Sequence, residues 1–191
     1  MRQITPSRGE SEASRVFLDR ILARKAEKRV ARRLYDAAVA RARQPDLYAQ
    51  MGAPDTPEGR FEILTLHVIL LIDRLRGDNP AASHLRQALF DVYLSDLDAA
   101  LREMGVGDLA VGKRMKKLGQ AFYGRARAYD DAFEALPDVA ELESIVARTA
   151  LDGLADVDPG PLAAYIARTR ERLTSCPTSA LLDGSATWPA G

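Results

Sequence analysis

Apolar residues recur along this chain at helical spacing, and proline, glycine and capping residues divide the pattern into about seven helical segments. Val30, Leu34, Ala38 and Ala42 repeat every four residues and mark the buried stripe of a first helix over roughly Glu12–Arg43, with a break near Arg24 as the alternative. Pro45 stops it, because the residue before a proline avoids the helical region. Asp46–Met51 reads as a short helical turn. Asp55-Thr56-Pro57-Glu58 is a helix start: Thr56 as N-cap, Pro57 at the first helical position, and acidic groups at the positive end of the dipole. The helix it opens runs to about Arg76 and is apolar on nearly every side, with Phe61, Ile63, Leu64, Leu66, Val68, Ile69, Leu70, Leu71, Ile72 and Leu75, which predicts a place at the centre of the core.

Gly77 to Pro80 is a turn. Leu85, Leu89, Val92, Tyr93, Leu97, Leu101 and Met104 then stripe a helix over Pro80–Met104. Gly105 suits the left-handed position just past a helix end. Val111, Met115, Leu118, Phe122, Tyr129, Phe133 and Leu136 place a long helix over Leu109–Leu136. Asp138 caps a further segment to about Gly153, and Asp158-Pro159 opens the last one, to about Cys176. Residues 1–12 read as a flexible start and 177–191 as an irregular tail, where Pro177, Gly184 and Pro189 fall. The expected fold is all-α: one domain, 13–176, packed around the helix at 57–76.

Composition agrees with this picture. A chain of 191 residues with 47% hydrophobic and 28% charged residues is large enough for one sizeable core. Only 6% is aromatic, so the Ala-, Leu- and Arg-rich remainder favours helix over strand. The net charge is zero but unevenly placed: residues 1–45 hold 12 Arg and Lys against 5 Asp and Glu. Cys176 is the only cysteine, which excludes an internal disulfide and suits a reducing compartment. No histidine lies near it in sequence to activate a thiol. Residues 1–15 lack the apolar stretch of a signal peptide. The run Phe61–Leu75 is interrupted by charges and is shorter than the ~20 residues of a bilayer span. The expected location is cytoplasmic, with peripheral attachment at the inner membrane left open.

Candidate chemistry is sparse. Arg24, Lys25, Lys28, Arg29, Arg32 and Arg33 lie along one side of the first helix, either as a solvated face or as a surface for anionic membrane or ribosomal RNA. No aromatic residue interleaves these charges, against sequence-specific RNA reading. Lys113, Arg114, Lys116 and Lys117 sit near a helix N-terminus, where they oppose the dipole and point to an interface with a partner. His67, inside the most apolar helix, reads as a hydrogen-bonded core residue rather than a ligand; His84 reads as exposed. Neither histidine has metal-ligand spacing, so no metal and no cofactor are expected. Asp91, Asp96, Asp98, Glu103 and Asp108 read as salt-bridging and capping groups, with Arg102 and with Arg125 or Lys113, rather than as an acid–base pair. Gly124 inside a long helix costs about 1 kcal/mol against alanine. A close helix–helix approach is the favoured explanation and a docked partner the other.

Three motifs lie in one continuous stretch, Tyr48–Tyr129: Asp-Thr-x-x-Gly-Arg-Phe-Glu at 55–62, Leu-Arg-Glu-Met-Gly-Val-Gly-Asp at 101–108, and Phe-Tyr-Gly-Arg at 122–125 followed by Tyr129. In these the chain resembles the ubiquinol–cytochrome c chaperone family, assembly factors of the cytochrome bc1 complex. The resemblance covers roughly Lys28–Leu151. It implies a helical, non-enzymatic chaperone that binds newly made cytochrome b or another bc1 subunit, with no small-molecule substrate. Mitochondrial relatives work near the ribosome exit with a small partner protein and carry extra N-terminal sequence. This chain resembles the shorter bacterial type, for which a ribosome contact and a small helical partner are carried over only as expectations, and the family's dealings with a haem protein add haem ligation as the functional alternative for His67. The motif positions expected to contact client or partner are Asp55, Arg60, Glu62, Arg102, Asp108, Lys113, Lys116, Arg125 and Tyr129.

Overall fold

The computed structural model describes residues 8–188 except 78 and 155, with side chains from residue 21 onward. Of the flexible start expected for 1–12, residues 1–7 lie outside the described residues, and 8–12 belong instead to the first turn and a half of α1. The expected break near Arg24 is absent, because α1 runs unbroken over Arg8–Ala42. The others are α2 (Asp46–Ala49), α3 (Pro57–Arg74), α4 (Pro80–Glu103), α5 (Asp108–Glu134), α6 (Ala140–Ala147), α7 (Gly160–Ser175) and α8 (Thr178–Leu182). There is no strand among the described residues, so the architecture is all-α.

Local chemistry accounts for most of the boundaries. The Thr56 hydroxyl accepts from the Gly59 N–H at 3.1 Å, and the Asn79 carbonyl group accepts from Ala81 and Ala82, each cap followed by proline. Gly105 takes φ +79° after α4, as a C-terminal glycine should. Asp138 and Asp158 accept from Ala140 N and Gly160 N at the starts of α6 and α7. α6 ends at Ala147 rather than near Gly153, because Leu151 N–H returns to the Val146 carbonyl and the Thr149 hydroxyl to Ile145, winding the chain out of the helix.

α3 is the central element: it packs against α1, α4, α5 and α7, and Ile63, Leu66, Val68, Ile69, Leu70 and Leu71 are all buried. α1 lies along α3 and α4, burying Ala31, Leu34, Tyr35 and Ala38. The segment expected to be irregular after Cys176 instead forms α8, whose Leu181 is fully buried. Five residues are too few to show a period in sequence. Arg74 of α3 holds this region, donating to the carbonyls of Leu173 and Cys176 and to the Thr178 hydroxyl at 2.6–3.0 Å. It thereby satisfies carbonyls that the end of α7 leaves open.

Candidate functional site

The nine motif residues expected to form a contact surface divide into pairs with different surroundings. Asp55 and Arg60 pair at 2.5 Å at the exposed start of α3, where the Arg60 guanidinium also lies 5.0 Å over the Tyr48 ring. Arg102 pairs with Asp98 at 2.7 Å and with Asp108, tying the end of α4 to the start of α5. Glu62 and Arg125 form a two-bond fork at 2.7 and 2.5 Å between α3 and α5, only 14% and 25% exposed. Tyr129 is buried at 3% exposure inside the core, where burial pushes its hydroxyl up to about 12. Tyr93 lies nearby and donates to Thr65, whose own hydroxyl donates to the Phe61 carbonyl. Glu62, Arg125 and Tyr129 are thus internal ties between α3, α4 and α5. Lys113 and Lys116 are exposed and have no carboxylate partner among the described residues.

The acidic series follows the salt-bridging expectation: Asp98 and Asp108 meet Arg102 as expected, while Asp96 and Asp91 find other partners. Asp96 pairs with Arg32 of α1 at 3.3 Å and accepts from the Tyr35 hydroxyl at 2.8 Å. Asp91 accepts from Gln87. Neither Arg125 nor Lys113 takes part: Arg125 is already held by Glu62 of α3, and Lys113 has no carboxylate partner among the described residues. The close-packing explanation for Gly124 is overturned: a Cβ there would meet nothing within 4 Å, and the same holds at Gly112 and Gly119.

The first half of α5 stands clear of the core, with Val111 its only buried residue between 108 and 121. Leu109, Gly112, Lys116, Gly119 and Tyr123 follow one another at alternating three- and four-residue steps, so they form one row along the helix. Leu109 is 99% exposed and Tyr123 63%, and Met104, at the α4–α5 connection, is 70% exposed. Leu109 and Tyr123 thus stand at the two ends of an exposed row whose middle is two glycines and Lys116, and Tyr123 also packs 5.3 Å from the Phe90 ring of α4. The basic residues of α1 also remain at the surface, along a cleft between α1 and α4.

The sequence model of the ubiquinol-cytochrome C chaperone family matches residues 49–188. The chain belongs to the ubiquinol-cytochrome C chaperone family. It is similar to the ubiquinol-cytochrome-c reductase complex assembly factor 1 of Xenopus laevis, with 22% identity over 160 residues, spanning 82% of this chain and 78% of that one. It is also similar to the crystal structure of the Cbp3 homolog from Brucella abortus, at 39% identity and a TM-score of 0.80, covering 92% of this chain and 96% of that one.

In this member of the ubiquinol-cytochrome C chaperone family, one polar network was not among the expected site residues. Arg41, 7% exposed, forks onto Asp46 at 2.8 and 2.7 Å and donates from Nε to the Tyr165 hydroxyl at 3.0 Å. The fork holds the Asp46 carboxyl below the ordinary carboxylate range. His67 completes the chain: Nδ1 lies 2.7 Å from the Ile63 carbonyl and Nε2 2.7 Å from the Tyr165 hydroxyl. A carbonyl only accepts, so Nδ1 carries the proton and Nε2 accepts from Tyr165. Both ring nitrogens are used, which leaves no free ligand position for haem iron and agrees with the core-histidine reading. The sequence signal for Arg41 was its place three residues after Ala38 and seven after Leu34, on the buried stripe of α1.

This arrangement ties stability to pH. Burial, with the nearby Arg41 charge, lowers the His67 pKa to about 4, below the ordinary 6.5, against smaller opposing effects of the Ile63 carbonyl and Asp46. The unfolded chain therefore binds the extra proton first, and stability present above pH 6.5 is lost as the pH falls towards 4. By pH 4 the loss from this group is about 3 kcal/mol. Urea unfolding at pH 7, 5.5 and 4 measures it. His67→Gln, which cannot titrate, is expected to be less stable at pH 7 but to show a flatter profile across this window; an unchanged slope would mean that other groups carry it.

Proposed function

We propose that the protein is a non-enzymatic assembly chaperone of the cytochrome bc1 complex that binds newly made cytochrome b. Family membership supports the assembly role, and the exposed row Leu109–Lys116–Tyr123 on α5 supports the binding step. A membrane protein leaving the ribosome presents apolar segments that must be kept from associating with one another. On this reading Leu109, Met104 and Tyr123 cover such a segment, and the open glycine positions 112 and 119 allow it to approach the α5 backbone. Lys113 and Lys116 add attraction to acidic or polar loop groups and set orientation. The half-buried Glu62–Arg125 fork and the buried Tyr129 hold α5 in place on α3. No helix among the described residues is long and apolar enough to cross a membrane, so capture is by a surface.

The test is a deletion strain scored for membrane b-type haem spectra and quinol:cytochrome c reductase activity. The wild-type gene should restore both. Lys113→Glu/Lys116→Glu should restore neither fully, and should capture newly made cytochrome b on the order of tenfold less well. Both side chains are exposed and unpaired among the described residues, so its stability should stay within about 0.5 kcal/mol of the wild type. Equal capture by this variant would remove the α5 face from the reading. Normal haem spectra in the deletion strain would remove the assembly role.

A further inference from the structure

The basic side of α1 borders a wide, open cleft. Lys25, Lys28, Arg29 and Arg33 occupy successive turns of α1 and line this cleft of about 800 Å³, whose other wall is Val92 and Ser95 of α4. Arg32 also borders it but is committed: it pairs with Asp36 at 3.6 Å and Asp96 at 3.3 Å, tying α1 to α4 and fixing the width of the cleft. Once those two carboxylates are assigned to Arg32, the other four cations have no ion-pair partner among the described residues. Glu27 reaches His84 at 3.3 Å in the neighbouring cleft, which Asp91 and Lys28 also line, and makes no ion pair with Lys28. Lys25 with Arg29, Arg29 with Arg33 and Lys28 with Arg32 are like-charge neighbours at four-residue spacing, which work against helix stability. An anion held between them would remove that repulsion.

We propose that this cleft recognises the phosphate of an anionic lipid headgroup. The guanidinium groups of Arg29 and Arg33 offer paired donors that match phosphate oxygens, and the two lysines add point charge. The Ser95 hydroxyl donates from the opposite wall. Beside Ser95 on that wall stands Val92, buried and apolar, which suits the ester-linked carbon of a lipid. Leu22 lies one turn before Lys25 and is 62% exposed, so an apolar side chain stands beside the cations where a headgroup layer gives way to acyl chains. No aromatic side chain lines the cleft to stack a base, which argues against single-stranded RNA as the occupant. The site lies on α1 and α4, away from the α5 row, so a membrane-held chaperone would keep its client face open. The inference is independent of the chaperone reading.

The experiment is flotation of the full-length purified chain with vesicles of phosphatidylcholine alone and of phosphatidylcholine containing about one-third phosphatidylglycerol. Binding is expected only to the anionic vesicles and should weaken with added salt. Lys25→Gln/Arg29→Gln should bind about 30-fold more weakly, the effect of removing two cations from a charged surface. Ser95→Trp keeps every charge and fills the cleft, and a comparable loss is expected from it, with circular dichroism confirming an unchanged fold. Inorganic pyrophosphate should compete with the vesicles. Wild-type flotation of Ser95→Trp, or equal binding to neutral vesicles, would overturn the cleft as the site. Pyrophosphate binding without vesicle binding would overturn the lipid source.

Discussion

Arg41→Leu is expected to destabilise the protein by about 3–5 kcal/mol, the range for breaking a buried ion pair by removing one partner. For a domain of this size that lowers Tm by on the order of 10 °C. Three losses coincide. Asp46, 17% exposed, is left as a nearly buried carboxylate without its fork. The Tyr165 hydroxyl loses its donor and the cation lying 4.8 Å over its ring. His67 then hangs from a tyrosine held only on one side. Arg41→Lys should recover little, because one ammonium cannot bond both Asp46 oxygens and reach Tyr165. Adding Asp46→Leu to Arg41→Leu should return a large part of the loss, since no charge is then stranded. Chemical denaturation of the two single variants and the double variant gives the coupling energy. Additive effects would show that the fork contributes nothing as a unit.

Gly59→Ala is expected to cost about 2–4 kcal/mol, although helix propensity alone predicts a gain of about 1 kcal/mol. A Cβ at residue 59 would stand 2.1 Å from the Pro54 carbonyl oxygen and 2.7 Å from its ring. The turn at 52–56 is folded down onto the first turn of α3, and the same Gly59 N–H is the donor that Thr56 caps. Relief would require backbone movement that breaks the cap. Gly124→Ala and Gly112→Ala meet nothing within 4 Å and should raise stability by about 0.5–1 kcal/mol each. Parallel melting curves separate these cases by sign. A neutral Gly59→Ala would mean that the 52–56 turn is free to shift. If Gly112→Ala stabilises the protein yet weakens client capture, its glycine is there for a partner.

The helices were legible from residues whose effect is local. Thr56, Pro57, Asp138, Gly105 and Pro45 act within one turn of themselves, so their roles follow from sequence spacing. The ten apolar residues of 61–75 likewise made α3 central, because a helix apolar on every side has to be covered on every side. Motif residues were less transparent. Asp55, Arg60, Glu62, Arg102, Asp108, Arg125 and Tyr129 look alike as polar motif positions, yet Glu62–Arg125 is a half-buried tie, Tyr129 is core, and Asp55–Arg60 is exposed. Which of these a residue becomes depends on a partner 63 positions away in the case of Glu62 and Arg125. α8 and the early end of α6 leave no signal in the sequence, because the first is too short to show a period and the second is set by a threonine bonding its own helix.

The sequence by itself determined the all-α class, the central helix, the caps and the family, since each rests on short-range chemistry or on motifs read directly. Only the tertiary structure decided that Arg41, Asp46, Tyr165 and His67 form one network, that the α5 glycines open to solvent rather than to a neighbouring helix, and that the α1 cations border a cleft. Those outcomes depend on which faces of distant helices meet. A hydrogen bond or an ion pair is set by distances of about 3 Å, which no periodicity along the chain specifies.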